Sequence, residues 1–71
     1  MSKLIWVDRR FDQLRTGDVF RLGSEPAKEY IVERVYPPED EEMIGVTAVH
    51  TNGGGMFVEN DDLKVEVREL V

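Results

Sequence analysis

The sequence predicts a small all-β domain. Short segments rich in β-branched and aromatic residues alternate with Gly, Pro, Asn and Asp, a pattern typical of strands joined by turns. No segment long enough for a helix keeps a periodicity of 3.6 residues. The 71 residues suffice for a single domain. We expect strands at residues 4–8, 18–22, 29–36, 44–51, 55–59 and 64–70.

The first predicted strand is short and is followed by a helical turn. Phe11 and Leu14 are three residues apart, so one 3₁₀ or α-helical turn near residues 11–15 would direct both side chains to the core. Thr16-Gly17-Asp18 then predicts a tight turn that leads into the second strand.

The third predicted strand does not alternate regularly. Ile31 and Val35 would share one face, whereas Tyr30 and Val32 would share the other. A β-bulge or a strong bend explains such a pattern. The strand must end at Pro37-Pro38, because proline has no N–H to donate to a ladder.

The fourth predicted strand alternates with a period of two. Val46 and Ala48 would point to the core, and Thr47 and Val49 would point away from it. His50 continues the face of Val46 and Ala48, and we expect it to be partly exposed at the end of the strand.

The last two predicted strands form the end of the chain. Asn52-Gly53-Gly54-Gly55 predicts a hairpin turn, since glycine readily adopts positive φ. Val65 and Val67 alternate with charged residues in the final strand. The residues expected in the core are Phe11, Leu14, Phe20, Leu22, Ile31, Val35, Val46, Ala48, Phe57, Leu63, Val65 and Val67.

The acidic charge is concentrated in the second half of the chain. The formal net charge is −6, yet residues 1–36 contain seven Lys and Arg against six acids. Residues 37–71 contain two against nine, mainly in the runs 39–42 and 59–62. This balance argues against a general nucleic-acid-binding protein, which needs cations for the phosphates.

Residue types that carry catalysis or bind metals are sparse. The chain has no cysteine, which excludes thiolate zinc sites. Its only histidine, His50, has no cysteine, serine or second histidine nearby in the sequence, which argues against a catalytic triad or a histidine zinc site. The acidic runs lack the spacing of a calcium loop, and Gly53-Gly54-Gly55 precedes a strand rather than a helix that would bind phosphate. We therefore expect no enzymatic activity, no cofactor and no metal.

The apolar runs are too short for a membrane span. The longest is Leu4-Ile5-Trp6-Val7, which Asp8-Arg9-Arg10 follows at once. A transmembrane helix needs about 20 apolar residues, and a signal peptide has a longer apolar region. We expect a soluble cytoplasmic protein that does not bind membranes.

The order of the elements resembles that of known small barrels. Leu14-Arg15-Thr16-Gly17-Asp18-Val19-Phe20 is followed by Tyr30-Ile31-Val32, the glycine hairpin and Asn60-Asp61-Asp62-Leu63. This layout resembles the small SH3-like β-barrel proteins of uncharacterised bacterial and phage type. The resemblance implies a five-stranded SH3-like barrel preceded by a short N-terminal strand, and a binding role rather than catalysis. The aromatic motifs of peptide-binding SH3 domains are absent, so binding of proline-rich peptides is not implied.

These observations predict a non-enzymatic accessory or adaptor protein that binds another macromolecule. A protein partner is expected, bound through an acidic face or a strand edge, and a strand edge would also permit homo-oligomers. Trp6 and Phe57 are expected to be large core anchors, with a role as contact residues as the alternative, and Met56 is a further large side chain that would suit a binding surface. The candidate partner-binding residues are Tyr30, Tyr36, Glu39, Asp40, Glu41, Glu42, Met43, Glu59, Asp61 and Asp62.

Two alternative functions remain open. Clustered carboxylates would let the protein imitate nucleic-acid phosphates and inhibit a basic nucleic-acid-binding protein. Alternatively, arginines and aromatic residues of the N-terminal half would bind nucleic acid weakly, by stacking and phosphate contacts.

Overall fold

The computed structural model describes residues 2–36 and 44–71, which fold as an all-β chain. Each of the six predicted strands is present, and a 3₁₀ turn at Phe11–Gln13 follows the first, as expected. The strands are β1 (Leu4–Arg10), β2 (Val19–Leu22), β3 (Tyr30–Tyr36), β4 (Val46–Thr51), β5 (Met56–Asn60) and β6 (Lys64–Leu70).

The strands form one antiparallel sheet in the order β1-β6-β2-β3-β4-β5. This sheet has six strands rather than five, because β1 pairs with β6 along its whole length. It does not close into a continuous ladder, since β1 and β5 each have a single partner among the described strands. The sheet therefore has two edges.

The β-bulge expected in β3 is present. Val32 pairs with Thr51 and Arg34 pairs with His50, so Glu33 is an additional residue in β3. The extra residue reverses the alternation, which lets both Val32 and the later Val35 pack against the core.

Aromatic rings occupy the centre of the core. Phe20 is completely buried, and its ring centroid lies 6.3 Å from that of Phe11 and 5.8 Å from that of Phe57, in edge-to-face contacts. Tyr30 completes the group, 4.8 Å from Phe57. Around these rings pack the buried side chains of Leu14, Val32, Val49, Val65 and Val67.

Three residues expected in the core lie elsewhere. Ile31 is 44% exposed, and the neighbouring Val32 is buried in its place. Val46 and Ala48 point away from the core, where Thr47, Val49 and Thr51 are buried instead. The prediction of the β4 face was wrong because both faces of the strand carry small or apolar residues, and periodicity alone does not distinguish them.

Hydrogen bonds make burial of the two threonines possible. The Thr47 hydroxyl donates to Asp61 Oδ1 at 2.6 Å, and the Thr51 hydroxyl donates to the Gly55 carbonyl at 3.2 Å. A buried hydroxyl with a partner avoids the cost of an unsatisfied polar group.

Ion pairs cover the side of β1, β6 and β2 that faces away from the core. Lys64 pairs with Asp8, Arg21 with Glu66, and Arg68 with Glu29, at N···O distances of 3.2–3.3 Å. The Arg21 guanidinium also lies 4.0 Å from the centroid of the Trp6 ring. Trp6 is thus half-buried beneath an arginine on the outside of the sheet, and it is not part of the core cluster.

Candidate protein-binding edge and face

The edge strand β5 has backbone groups that find no hydrogen-bond partner among residues 2–36 and 44–71. The Thr51 N–H donates to the Gly55 carbonyl and the Asp61 N–H to the Gly45 carbonyl, both at 2.8 Å. Hydrogen-bonded pairs alternate along an antiparallel ladder, so Phe57 and Glu59 direct their backbone groups to β4. Met56 and Val58 therefore direct their N–H and C=O groups outward, where no residue in 2–36 or 44–71 bonds to them.

The side chains of the same two residues are exposed and apolar. Met56 is 57% exposed and Val58 is 53% exposed. Val58 lies opposite Ala48, which in turn lies opposite Tyr36. This pairing makes one apolar row across β3, β4 and β5. We call the surface formed by Tyr36, Val46, Ala48, His50, Met56 and Val58 the outer face.

The middle of the outer face is ordered by aromatic and cationic contacts. The Tyr36 ring centroid lies 6.3 Å from the His50 ring and 5.6 Å from the Arg34 guanidinium. Tyr36, Val46, Ala48 and His50 are half-buried, whereas Met56 and Val58 are the exposed border next to the edge. The face thus continues into the edge without a charged residue of β5 between them.

The other edge strand, β1, is more protected. Its outward backbone groups include the Asp8 carbonyl, which accepts from Arg9 Nη1, and the Arg10 N–H, which donates to Gln13 Oε1, both at 2.9 Å. Charged side chains and occupied backbone groups are common ways to prevent a strand edge from pairing. Residues 51–63, which contain β5, include no Pro, Lys or Arg.

Two carboxylates lie at the end of β5. Glu59 is opposite Thr47, whose hydroxyl donates to Asp61, so both acids lie on the side of β5 that faces away from the outer face. No Lys or Arg in the described part of the chain pairs with either acid. By contrast, Asp62 lines a shallow cleft with Arg10 and Lys64.

The structure separates the candidate residues of the sequence into three places. Tyr36 lies on the outer face, and Tyr30 packs between Phe20 and Phe57. The acids Glu59, Asp61 and Asp62 lie at and just beyond the end of β5. The remaining candidates, Glu39, Asp40, Glu41, Glu42 and Met43, lie outside the described residues.

The sequence pattern does not reveal the outer face. Alternation in β4 predicts that Val46 and Ala48 face the core, and nothing in the sequence marks Val58 as exposed. The glycines of the hairpin are a partial signal, because Gly53 and Gly54 both have positive φ and the hairpin places Val58 opposite Ala48. The register thus shows that the two residues share a face, whereas tertiary packing determines that this face is the exposed one.

A polar cleft lies beside the 3₁₀ turn. It has a volume of about 520 Å³ and lies between the segment that follows the 3₁₀ turn and strands β1 and β6. Several of its charged groups have partners: Arg9 pairs with Glu69 at 2.9 Å, Asp12 pairs with Arg10 at 2.9 Å, and Asp18 accepts from the Arg15 backbone N–H at 2.9 Å. This lining favours water over an apolar ligand.

Comparisons of the chain with protein-family models, curated proteins and solved structures returned no match. Among residues 2–36 and 44–71, no three His, Cys, Asp or Glu side chains are grouped so that they would hold a metal ion. The same residues include no helix with the length and apolar character required to cross a membrane.

Proposed function

We propose that this chain is a non-enzymatic adaptor that binds another protein through the β5 edge and the adjoining outer face. The observation that carries the proposal is made at Met56 and Val58, where exposed apolar side chains coincide with backbone groups that have no partner in the described part of the chain. An open edge offers main-chain hydrogen bonds to an added strand, and apolar side chains beside it supply buried area.

A protein partner accounts for the surface better than a nucleic acid. Six of the nine Lys and Arg side chains are held in ion pairs. Arg21 covers Trp6, and Tyr30 is part of the core aromatic group, which leaves few cations and stacking surfaces for phosphates and bases.

We also propose that β2 to β6 are a variant of the SH3-like barrel to which β1 is added. The order β6-β2-β3-β4-β5 supports this proposal, as does β3, which pairs with β2 at one end and with β4 at the other. An experimental structure tests it by superposition on SH3-like barrels. Failure of β2 to β6 to align would overturn this assignment without affecting the binding proposal.

The binding proposal is tested by cross-linking followed by affinity measurement. A photo-cross-linking amino acid at position 58 should attach to one partner protein, whereas the same group at Ser24, in the β2–β3 loop, should not. With the purified partner, the double variant Met56→Ser/Val58→Ser should weaken binding by about 10- to 100-fold, as loss of apolar contact residues does.

The matched control removes equal apolar character elsewhere. Leu4 and Leu70 face each other at the far end of β1 and β6 and are 57% and 67% exposed. Leu4→Ser/Leu70→Ser should leave the affinity unchanged. Binding that is weakened equally by both double variants, or by neither, would contradict the proposal, provided that circular dichroism shows all three proteins folded.

A further inference from the structure

We propose that the partner segment is an extended strand in which apolar residues alternate with Lys or Arg, added to the β5 edge. This inference rests on the proposed binding function and identifies the chemistry of the partner. It follows from what lies on the two sides of β5.

One side of β5 requires apolar residues in the partner. In a strand added to an edge, every second side chain lies on the same face of the sheet as the neighbouring residues of that edge. Side chains of the added strand that lie beside Met56 and Val58 would therefore extend the outer face. Apolar side chains at these positions would bury the exposed surface of Met56 and Val58.

The other side of β5 requires positive charge. The intervening side chains of the added strand would lie beside Phe57 and Glu59, near Asp61. Within the described chain, neither of these acids has a Lys or Arg partner, unlike Asp8, Glu66 and Glu69 on β1 and β6. A Lys or Arg opposite Glu59 would supply the missing counter-charge, whereas an acidic residue there would be repelled.

A second copy of this chain fits the same edge less well. Its net charge of −6 would oppose another −6 across the interface. Strand β5 also contains Glu59 but no Lys or Arg, so β5 paired with itself would supply no cation to that carboxylate. A basic segment of a different protein satisfies both sides of the edge.

The test uses the 71-residue chain and two synthetic peptides of about eight residues, a length typical of strands. One peptide alternates valine with lysine and the other alternates valine with glutamate. Calorimetry at about 50 mM salt should show at least tenfold tighter binding of the lysine peptide, with a difference that decreases as salt increases. Amide exchange measured by NMR should show that the Met56 and Val58 N–H groups become protected.

Two single variants separate edge pairing from general charge attraction. Val58→Pro removes an N–H that the sheet does not use and should abolish binding of the lysine peptide. Glu59→Gln should reduce the preference for lysine over glutamate by at least threefold, whereas the control Glu25→Gln, in the β2–β3 loop, should not. The exchange measurement on the unmodified protein tests the site even if Val58→Pro fails to fold.

The outcomes distinguish this inference from the proposed function. Equal affinity for the two peptides, with protection of Met56 and Val58 in both cases, overturns the basic partner and leaves edge binding supported. Protection of β1 amides instead, dimers formed through β5, or absence of binding by either peptide also overturns the inference. The proposed function fails separately, by the cross-linking and serine variants described above.

Discussion

At the scale of single residues, the two faces of β4 are distinguished by what each side chain touches. Val49 packs within the core with no exposed surface, whereas Val46 is half-buried on the outer face. The two residues have the same side chain and lie in the same strand. Shortening each of these valines to alanine therefore tests which face of β4 is buried.

Val49→Ala should lower the free energy of unfolding by about 2 kcal/mol, because it removes buried methyl groups and leaves a cavity. Val46→Ala should cost less than about 1 kcal/mol, since its side chain stays partly in water. Urea denaturation of both variants measures the difference. A larger loss for Val46→Ala would show that the faces are reversed.

The hydroxyl of Thr47 is a second residue-scale determinant. Thr47→Val keeps the shape but removes the donor to the Asp61 carboxylate, and it should cost about 1–2 kcal/mol. Thr16 lies exposed in the turn before β2, so Thr16→Val should change the unfolding free energy by less than about 0.5 kcal/mol. A Thr47→Val variant as stable as the unmodified protein would mean that this hydrogen bond contributes nothing.

At the scale of elements, the hairpin between β4 and β5 sets the register of the binding edge. Gly53 and Gly54 have φ of 86° and 84°, a region that other residues rarely adopt. A Cβ atom at Gly55 would lie 2.9 Å from the hydroxyl of the buried Thr51. The sequence Gly53-Gly54-Gly55 thus reflects turn geometry at its first two positions and close packing at the third.

Gly55→Ala should therefore cost about 1–2 kcal/mol, since Thr51 must shift or lose its bond to the residue 55 carbonyl. Gly23 has open space around it and no positive φ, so Gly23→Ala is the matched control, with a change below about 0.5 kcal/mol. Thermal denaturation compares the two. Equal melting temperatures would show that Thr51 accommodates the added methyl group without loss.

The ladder along β5 also makes a prediction about backbone amides. Phe57 and Glu59 should exchange their amide hydrogens slowly, because they donate to β4, whereas Met56 and Val58 should exchange rapidly. Hydrogen exchange followed by NMR in the free protein resolves the four amides. Slow exchange at Met56 and Val58 without a ligand would mean that the edge is already covered, and this would contradict the binding site.

At the scale of the whole molecule, one end of the sheet has fewer paired strands than its centre. Strand β6 lies between β1 and β2, but β2 reaches only residues 65–67 of β6. The remaining end of β6 pairs with β1 alone, at Leu4, Ile5 and Trp6. The molecule therefore combines a well-packed centre with a two-stranded extension that contains both described chain ends.

This arrangement predicts stepwise opening. Lys3 and Val71 donate backbone hydrogen bonds to each other, which shows which residue pairs of the β1–β6 ladder are hydrogen-bonded. By this alternation, Ile5 and Val67 both lie at hydrogen-bonded positions. The Ile5 amide should nevertheless exchange at least tenfold faster than the Val67 amide, because the extension can separate while the centre stays folded. Equal protection in low denaturant would indicate one cooperative unit that includes the extension.

Local sequence patterns predict the order and approximate bounds of the six strands, the 3₁₀ turn at Phe11, the bulge in β3 and most of the core. These features depend on local properties: alternation, turn residues and the absence of helical periodicity. The bulge is predictable because large apolar residues occupy both faces of β3, with Ile31 and Val35 on one face and Tyr30 and Val32 on the other.

The buried face of β4 and the position of β1 depend on contacts between residues that are remote in sequence. Both faces of β4 carry residues that suit a strand, namely Val46 and Ala48 on one face and Thr47 and Val49 on the other. The choice between the faces depends on distant residues such as Asp61, whose carboxylate accepts the hydrogen bond of the buried Thr47 hydroxyl. Likewise, β1 covers the free edge of β6, which leaves β5 as the less protected edge. Long-range pairing selects among locally equivalent strands and faces, because burial and hydrogen bonding depend on neighbours that are remote in sequence.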